Sequence, residues 1–367
     1  MKVAIIGGGI IGLMTAYYLA KEGTNVTVFD PSPGKFSIHA AGLIEPYRFD
    51  RINTSAMIYK MLKYMKRGVT EVRQLNRLWI RELLLNLNKS PPEEAWETMR
   101  AMAKFSLDAY SKFAEEKNDF DYANDGLLEI YSKKDDLEKG VEEEKRSPFS
   151  PKTEIVDVPG FAGGIYFPEL SRIATEKFTR RIISEVENMK VKFQQKKVVP
   201  DLEKFKIGNL KFDKIVLANG VWITSTLKLP VTSFKGYGLW IKGTTKLKEA
   251  FVTVDEGIAV SPLSDHVKVT GGFSADFTEE WKGDRILDKI SSLLKVEDII
   301  ERNMGFRPCS PDGFPILGEK GNVIVATGAC RLGWSYGPAM GYYASELALD
   351  KIESLGYLSR YVESLEY

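Results

Sequence analysis

The opening thirty residues place apolar runs and glycines in the order of a strand, a tight turn, a helix and a second strand. An apolar run at residues 3–6 precedes Gly7, Gly9 and Gly12, and a helical apolar pattern follows through Leu19. A second apolar run at residues 26–29 ends on Asp30. The pattern predicts a βαβ unit whose helix begins at the glycine turn, where its free N–H groups face a bound anion.

The glycine spacing G-x-G-x-x-G has a physical reason at each position. Gly7 permits the tight turn, Gly9 lets the backbone approach a pyrophosphate, and Gly12 lets the helix pack closely on the strand. Asp30 ends the second strand, where its carboxylate can accept hydrogen bonds from a ribose diol. Because the strands, the helix and the acid are all in place, the segment predicts a dinucleotide-binding site.

Periodicity assigns most of the remaining chain. Residues 54–113 are helical with a break at Pro91-Pro92, and residues 175–186 form another amphipathic helix. Short strands are predicted at 126–131 and 163–168, a buried parallel strand at 213–220, and a solvated helix or loop at 133–146. Alternating positions from 232 to 273 predict antiparallel strands. Residues 286–300 read as a helix, and residues 322–352 as a strand, a glycine turn and a helix.

The order of these elements predicts a discontinuous α/β chain. Parallel α/β segments recur at the start, the middle and the end, with helices and antiparallel strands between them. We expect a Rossmann-like, three-layer nucleotide domain with a parallel sheet, formed by residues 1–75, 160–222 and 305–367. A second, α+β substrate domain on an antiparallel sheet would comprise residues 76–159 and 223–304.

Composition narrows the functional classes. The chain has 51 basic and 50 acidic residues and a net charge of +1, which argues against nucleic acid as a partner. Two cysteines and two histidines predict neither a disulfide framework nor a metal site. The sequence contains no uninterrupted run of eighteen apolar residues, so it predicts no transmembrane segment. We expect a cytoplasmic protein, either free or peripheral to the membrane.

A second glycine-rich strand–turn–helix at residues 327–341 favours FAD over NAD. FAD requires the protein to hold an isoalloxazine ring as well as an ADP half. A helix N-terminus at residues 333–337 would stabilise negative charge on a reduced ring. The alternative is that Gly328 and Gly333 only turn the chain.

Several motifs resemble the D-amino-acid oxidase (DAO) family of flavoproteins, within it the D-amino-acid dehydrogenase and glycine oxidase branches. The resemblance covers nearly the whole chain. Besides the N-terminal glycine motif, the resemblance rests on five segments: SIHAAGL (37–43), LANGVW (217–222), FKGYGL (234–239), GFRPCSPDGFPILG (305–318) and TGACRLGW (327–334).

The resemblance implies an FAD enzyme that oxidises the C–N bond of an amino acid. The substrate would be a D-amino acid, glycine, or a secondary amine such as sarcosine or proline. Hydride would pass to flavin N5, and the imine would hydrolyse to a 2-oxo acid. Gly305 stands where sarcosine oxidases carry the cysteine that attaches FAD, so we expect non-covalent FAD.

Arg307 aligns with the arginine that binds the substrate carboxylate in the family. A planar guanidinium can hold a carboxylate through two parallel hydrogen bonds. The alternative is a structural ion pair between Arg307 and Asp312. Arg331, in the second glycine turn, faces the flavin or the substrate, or else packs within its loop or is exposed to solvent.

A second contact for the substrate carboxylate is less defined. Ala259 stands where oxidases of bulky D-amino acids carry tyrosines, so that contact is absent or comes from elsewhere. Tyr237 and Arg48 are the candidates that we retain, with Trp240 as a third.

The motifs together predict the cofactor-binding residues. These are Gly7, Gly9, Ile10, Ile11, Gly12, Asp30, Pro31, His39, Ala40, Ala41, Gly42, Leu43, Val198, Ala218, Asn219, Gly220, Trp222, Arg307, Gly328, Arg331, Leu332, Gly333 and Trp334.

Three questions stay open at this stage. The scaffold also suits an oxidoreductase of a 2-hydroxy acid or glycerol phosphate, or a flavin-bearing subunit of an electron-transfer complex. The electron acceptor could be dioxygen, a quinone or a dye. Cys309 and Cys330 belong to two motifs that meet near the flavin, where we expect two packed small residues rather than a redox pair.

Overall fold

The computed structural model describes residues 1–66, 68 and 70–365. Seven α-helices lie in these residues: α1 (Ile10–Lys21), α2 (Ser55–Lys66), α3 (Arg77–Leu85), α4 (Glu93–Glu116), α5 (Lys134–Lys145), α6 (Thr175–Asn188) and α7 (Gly337–Ala348). None of them combines the length and the apolar character that crossing a bilayer requires.

The strands, in chain order, fall into two large sheets and two small pairs. They are β1 (Lys2–Ile6), β2 (Asn25–Phe29), β3 (Leu43–Ile44), β4 (Leu127–Tyr131), β5 (Glu154–Val156), β6 (Gly163–Phe167), β7 (Ser171–Arg172), β8 (Lys192–Gln194), β9 (Lys206–Ile207), β10 (Leu210–Lys211), β11 (Lys214–Leu217), β12 (Thr232–Thr245), β13 (Ala250–Thr253), β14 (Ile258–Pro262), β15 (Val267–Ala275), β16 (Leu294–Cys309), β17 (Ile316–Lys320) and β18 (Val323–Thr327).

The first large sheet has the order β17-β18-β11-β1-β2-β8 and is parallel except for the edge strand β17. Both faces of this sheet are covered, as parallel sheets require. Val3 and Ile5 of β1 enter the core shared with α1, α6 and α7, whereas Ala4 and Ile6 enter the core on the opposite face. The predicted three-layer α/β architecture is therefore confirmed.

The second large sheet has the order β16-β12-β15-β14-β13-β4-β6-β5. Its neighbours are antiparallel except for β13 and β4. β12 and β16 are its longest strands and pair over their whole length, from Thr232 opposite Cys309 to Thr245 opposite Leu294. This ladder carries Tyr237 and Arg307, two of the predicted site residues.

The helix predicted at residues 286–300 is wrong. A single short 3₁₀ turn at Asp288–Ile290 precedes β16, which begins at Leu294. The apolar spacing of Ile286, Ile290 and Leu294 does bury these side chains. However, β12 offers a complete ladder of backbone partners, and tertiary pairing of this kind overrides local helical spacing.

Helix α4 joins the core of the parallel sheet. Its Met99 and Met102 are fully buried in the cluster that also holds Leu13 of α1 and Met340 of α7. This helix falls within residues 76–159, which the sequence pattern assigns to the second domain. The division of the chain into two domains stays a prediction, and its last two residues, 366–367, lie outside the described residues.

Cys309 and Cys330 form a disulfide, so the expectation of two packed thiols is wrong. Their Cα atoms lie 4.1 Å apart, and a β-bridge between Cys309 and Ala329 holds the two segments together. Sequence spacing could not show this pairing, because the contact depends on where β16 ends relative to the turn after β18.

Removing the disulfide should lower the free energy of unfolding. The bond closes a loop of sequence separation 21, for which chain entropy gives about 3 kcal/mol. We expect the double variant Cys309→Ser/Cys330→Ser to lose about this amount in urea unfolding at saturating FAD. Wild-type protein under reductant is the control and should match the variant. Equal unfolding midpoints for the oxidised wild type and the variant would contradict a stabilising bond.

Candidate functional site

A cavity of about 700 Å³ runs between the two large sheets. Its wall includes the turn after β1, residues 39–43, residues 218–220, Arg307 and the turn at residues 329–334. Every predicted cofactor and substrate residue lines it except Gly12, Gly328 and Trp240. The two glycines support the turns from behind, Gly12 against Gly7 and Gly328 against Ile316, while Trp240 packs on His266.

The first glycine turn crosses the end of β11 at very close range. Gly7 has φ +107°, and a Cβ there would collide with the carbonyl oxygen of Ala218. Asp30, at the end of β2, accepts hydrogen bonds from the N–H groups of Gly8 and Ser32, both at 2.7 Å. The carboxylate is thus held at the edge of the turn, where its remaining lone pairs can accept from a diol.

Helix α1 presents an uncapped N-terminus to the cavity. Gly9 is its N-cap residue and offers no side chain, and the first turn contains no acid. Of the first-turn N–H groups, that of Ile10 donates to Ser37 Oγ at 3.2 Å. The remaining first-turn N–H groups have no partner within the helix, and the helix dipole adds positive potential here, so this end suits a diphosphate.

The loop that leads from Ser37 to Pro46 is tied to the second glycine turn. The indole of Trp334 donates to the carbonyl of Ser37 at 2.9 Å, and Ser335 Oγ accepts from the N–H of Glu45 at 2.9 Å. Tyr336 donates its hydroxyl to the carbonyl of Pro46 at 2.7 Å. Two segments almost 300 residues apart in sequence therefore form one continuous wall.

A buried lysine that the sequence analysis missed supports the same loop from below. Lys268 of β15 donates to the carbonyl of Ile38 at 3.0 Å and to Thr175 Oγ1 at 2.5 Å. It also pairs with the buried Glu176. Burial lowers the pKa of Lys268 to about 8, with the nearby Glu176 opposing the shift. Only the position of Lys268 within an alternating strand, facing inward, could have signalled this role.

His39 is neutral in the cavity wall. Burial, with Lys268 and Lys35 nearby, lowers the pKa of His39 to about 4. Its Nδ1 is buried without a hydrogen-bond partner, as is Oδ1 of Asn219. Buried polar atoms that line a cavity without partners are satisfied by a ligand or by water. Both atoms therefore fit a polar cofactor that fills this groove.

Arg307 lies across Gly236 of the neighbouring strand. A Cβ at Gly236 would overlap the guanidinium, so glycine is required for this position of the arginine. Arg307 Nη1 donates to the carbonyl of Gly272 at 3.0 Å, and the guanidinium lies 5.4 Å from the centroid of the Phe273 ring. The pKa of Arg307 is lowered to about 10 by burial and by Arg331, so the side chain remains a cation at neutral pH.

No acidic side chain in the described part of the chain forms an ion pair with Arg307. Asp312, the alternative partner, instead pairs with Arg360 at 2.6 Å. A cation in a partly enclosed cavity without an anion is costly unless a ligand supplies the charge. Arg307 is therefore the candidate residue of this cavity for contact with a small anion.

The other two arginines of the cavity are already neutralised. Arg331 pairs with Glu45 at 2.5 Å and with Asp50 at 2.7 Å. Arg48 pairs with Glu129 and, at 3.4 Å, with Glu45. Neither Glu45 nor Glu129 was singled out in the sequence, because nothing in its local pattern separates it from surface acids. Both carboxylates are buried.

Tyr237 also lines the cavity, on β12. Its ring packs edge-on against Trp281, with 5.4 Å between centroids, and burial raises the pKa of its hydroxyl. The hydroxyl therefore stays protonated and can only donate or accept hydrogen bonds as a neutral group. Its predicted contact with the substrate carboxylate stays a prediction.

The geometry identifies the class of protein. A helix N-terminus suited to a diphosphate, an acid placed where it can accept from a ribose diol and an arginine without an ionic partner share one cavity between a parallel and an antiparallel sheet. Such an arrangement is typical of dinucleotide-dependent oxidoreductases.

Comparison with known proteins gives the particular family. Residues 2–347 match the DAO family model, described as FAD dependent oxidoreductase, and the chain belongs to this family. FAD is the cofactor of this family, and the cavity described above fits it.

Individual relatives span nearly the whole chain. A D-proline dehydrogenase of Pyrobaculum islandicum is 37% identical over 357 residues, covering 96% of both chains. A D-amino acid dehydrogenase of Helicobacter pylori is 26% identical and covers 95% of both. The crystal structure of glycine oxidase from Bacillus cereus shares the fold, with a TM-score of 0.74 at 19% identity, covering 98% of this chain and 97% of that one.

Substitution of the first turn glycine should abolish tight FAD binding. Gly7→Ala would force a Cβ against Ala218 and place alanine at a positive φ, at a cost of about 3 kcal/mol or more. We expect FAD affinity, measured by quenching of flavin fluorescence, to fall by at least about 100-fold.

Gly333→Ala is the matched control for folding. Gly333 has φ −55°, and an added Cβ would meet nothing within 4 Å in the protein. The thermal unfolding midpoint of the Gly333→Ala variant without FAD should equal that of the wild type. If Gly7→Ala bound FAD as tightly as the wild type, the assignment of the turn to the cofactor would be wrong.

Proposed function

We propose that this protein is an FAD-dependent dehydrogenase or oxidase of amino acids, with D-proline as the first substrate to test. The observation that carries the proposal is the unpaired Arg307 in a cavity shaped for a dinucleotide. Support for the substrate comes from the D-proline dehydrogenase that is 37% identical over 96% of both chains.

In this proposal the first glycine turn and the N-terminus of α1 hold the diphosphate, and Asp30 accepts from the adenosine ribose. Residues 39–43, Asn219 and residues 329–334 hold the ribityl chain and the ring. Bound FAD supplies a hydride acceptor for the C–H bond next to the substrate nitrogen.

The protein groups act chiefly by positioning. Arg307 would bind both carboxylate oxygens and so fix the distance and orientation of the adjacent Cα. Neutral His39 can hydrogen-bond without placing a second charge beside the ring. The ion pairs of Arg331 and Arg48 hold rigid cavity walls and leave Arg307 as the unpaired arginine for the substrate.

The pairing of the arginines favours an amino acid over a phosphate ester. A phosphate carries more charge than a carboxylate and is usually bound by several cations. Among the arginines of this cavity Arg48 and Arg331 are committed to carboxylates, so Arg307 alone is unpaired, and the other cations in the wall are lysines such as Lys60. A 2-hydroxy acid keeps the same carboxylate and is separated from an amino acid by direct assay. We also propose that the electron acceptor is dioxygen, a quinone or a dye, and that the protein attaches to a membrane.

Anaerobic reduction of the flavin tests the proposal directly. We expect D-proline to bleach the visible absorbance of the FAD-loaded protein, because electrons from the C–N bond remain on the cofactor when no acceptor is present. L-proline, other D-amino acids, glycine, sarcosine, lactate and glycerol phosphate serve as the comparison panel. Bleaching by lactate or glycerol phosphate but by no amine would contradict amino-acid oxidation. Return of colour on adding dioxygen or a dye identifies the acceptor.

Loss of Arg307 should impair substrate use while flavin remains bound. Arg307→Met removes the charge and both hydrogen bonds to the carboxylate. We expect a decrease in kcat/KM that corresponds to a loss of about 2–5 kcal/mol of transition-state stabilisation. The visible flavin spectrum should persist. Arg302→Met, an exposed position on the same strand, is the matched control and should behave as wild type. Undiminished kcat/KM in Arg307→Met would exclude the carboxylate role.

A further inference from the structure

Helix α2 differs from the other α-helices in the described residues because none of its residues is buried. Its inner side, with Met57, Met61 and Tyr64, lines the cavity. On the outer side, 72% of Tyr59, 51% of Leu62 and 41% of Met65 are exposed. The helix is therefore a cover over the site that presents a second apolar face to the surroundings.

The end of α3 carries two further exposed apolar side chains close to the start of α2. Leu84 is 61% exposed and Leu85 55%. The two helices are joined at this end, because Asn53 Nδ2 donates to the carbonyl of Asn86 at 2.7 Å and Ser55 N–H donates to Asn88 Oδ1 at 2.9 Å. We define the α2–α3 surface as seven of the exposed residues of the two helices, namely Tyr59, Leu62, Lys63, Met65, Lys66, Leu84 and Leu85.

The same segment carries an excess of positive charge. Residues 55–90 contain eight basic and two acidic residues, a net charge of +6, whereas the whole chain has a net charge of +1. Lys63 and Lys66 are exposed, and neither has an acidic partner within ion-pair distance among the described residues. Cationic and apolar side chains thus alternate on one face of α2.

Another exposed helix of this chain shows that such a face is not a general feature of its surface. Helix α5 has six acidic and three basic residues. Its large aliphatic side chains are those of Leu137 and Val141, and Leu137 is buried. Within the described residues, no large apolar side chain of α5 is exposed. The composition of α5 suits water, whereas that of α2 suits an interface.

We propose that the α2–α3 surface binds the surface of an anionic lipid bilayer. Apolar side chains of an amphipathic helix enter the boundary between headgroups and acyl chains, and lysines interact with the lipid phosphates. A symmetric pair of copies would bring two lysine-rich faces together, and like charges would oppose that contact. Because the inner side of α2 lines the cavity, bound lipid would lie beside one wall of the site.

Sedimentation of the FAD-loaded protein with vesicles tests the proposal. The wild type should sediment with vesicles that contain phosphatidylglycerol and should remain in solution with pure phosphatidylcholine. Salt should weaken the binding, because counterions screen exposed charges. Absence of binding to the anionic vesicles at low salt would overturn the proposal.

Two sets of variants assign the binding to this surface. Lys63→Glu/Lys66→Glu should weaken vesicle binding by at least about tenfold, and Tyr59→Ser/Leu62→Ser should weaken it without removing its salt dependence. The matched controls are Lys134→Glu/Lys139→Glu on α5 and Leu210→Ser on the exposed strand β10. If the controls and the α2 variants lost binding equally, or if neither did, the surface would be wrongly assigned.

A fluorescent label reports contact independently of affinity. The two natural cysteines are joined in a disulfide, so Leu62→Cys provides one free thiol for an environment-sensitive dye. We expect the emission to shift to the blue on anionic vesicles, with no shift for Leu210→Cys. A shift that appears on raising protein concentration without lipid would instead indicate self-association and overturn the lipid assignment. Flavin bleaching by substrate does not depend on these outcomes, so failure here leaves the proposed reaction untouched.

Discussion

The site depends on one electrostatic constraint, the position of Arg307 in a cavity whose other arginines are already paired. Glu45, Asp50 and Glu129 neutralise Arg331 and Arg48. Gly236 leaves the space that the guanidinium of Arg307 occupies, and Gly272 accepts one of its hydrogen bonds. The described part of the chain supplies geometry for this cation but no counter-ion. In the proposed function a ligand carboxylate supplies the missing charge, so that substrate binding and orientation become a single event.

The remaining architecture brings the cofactor groove to that cation. The glycine turn lies on the parallel sheet and Arg307 on the antiparallel one, so the wall between them must be rigid. Its rigidity comes from contacts across the chain: Trp334 with Ser37, Tyr336 with Pro46, and Lys268 with Ile38. Lys268 carries its charge in a fully buried position, where the neighbouring Glu176 compensates for part of the cost of desolvation. A loop anchored in this way can keep a cofactor at a constant distance from the substrate cation.

Helix α2 joins the interior chemistry to the outer surface. One side lines the cavity and the other exposes aromatic, aliphatic and basic residues, so a single short helix borders two environments. The helix has no buried side chain of its own. Near its first turn Thr54 Oγ1 accepts from the N–H of Met57 and Asn88 binds Ser55, and near its last turn Tyr64 donates its hydroxyl to the carbonyl of Val254. Its limited packing is understandable if its outer face has a partner, since burial of that face would then come from binding rather than from folding.

Sequence alone determined the nucleotide half of this protein. The spacing of Gly7, Gly9 and Gly12, the apolar runs on both sides and Asp30 each express a local requirement of backbone geometry, which neighbouring residues are enough to define. The same holds for the alternating strands that became β12 to β15. Tertiary structure decided the pairing of Cys309 with Cys330, the strand β16 in place of a helix, and which of three arginines lacks an acid. Those outcomes depend on partners far away in the chain, and no periodicity records which acid a distant arginine will meet.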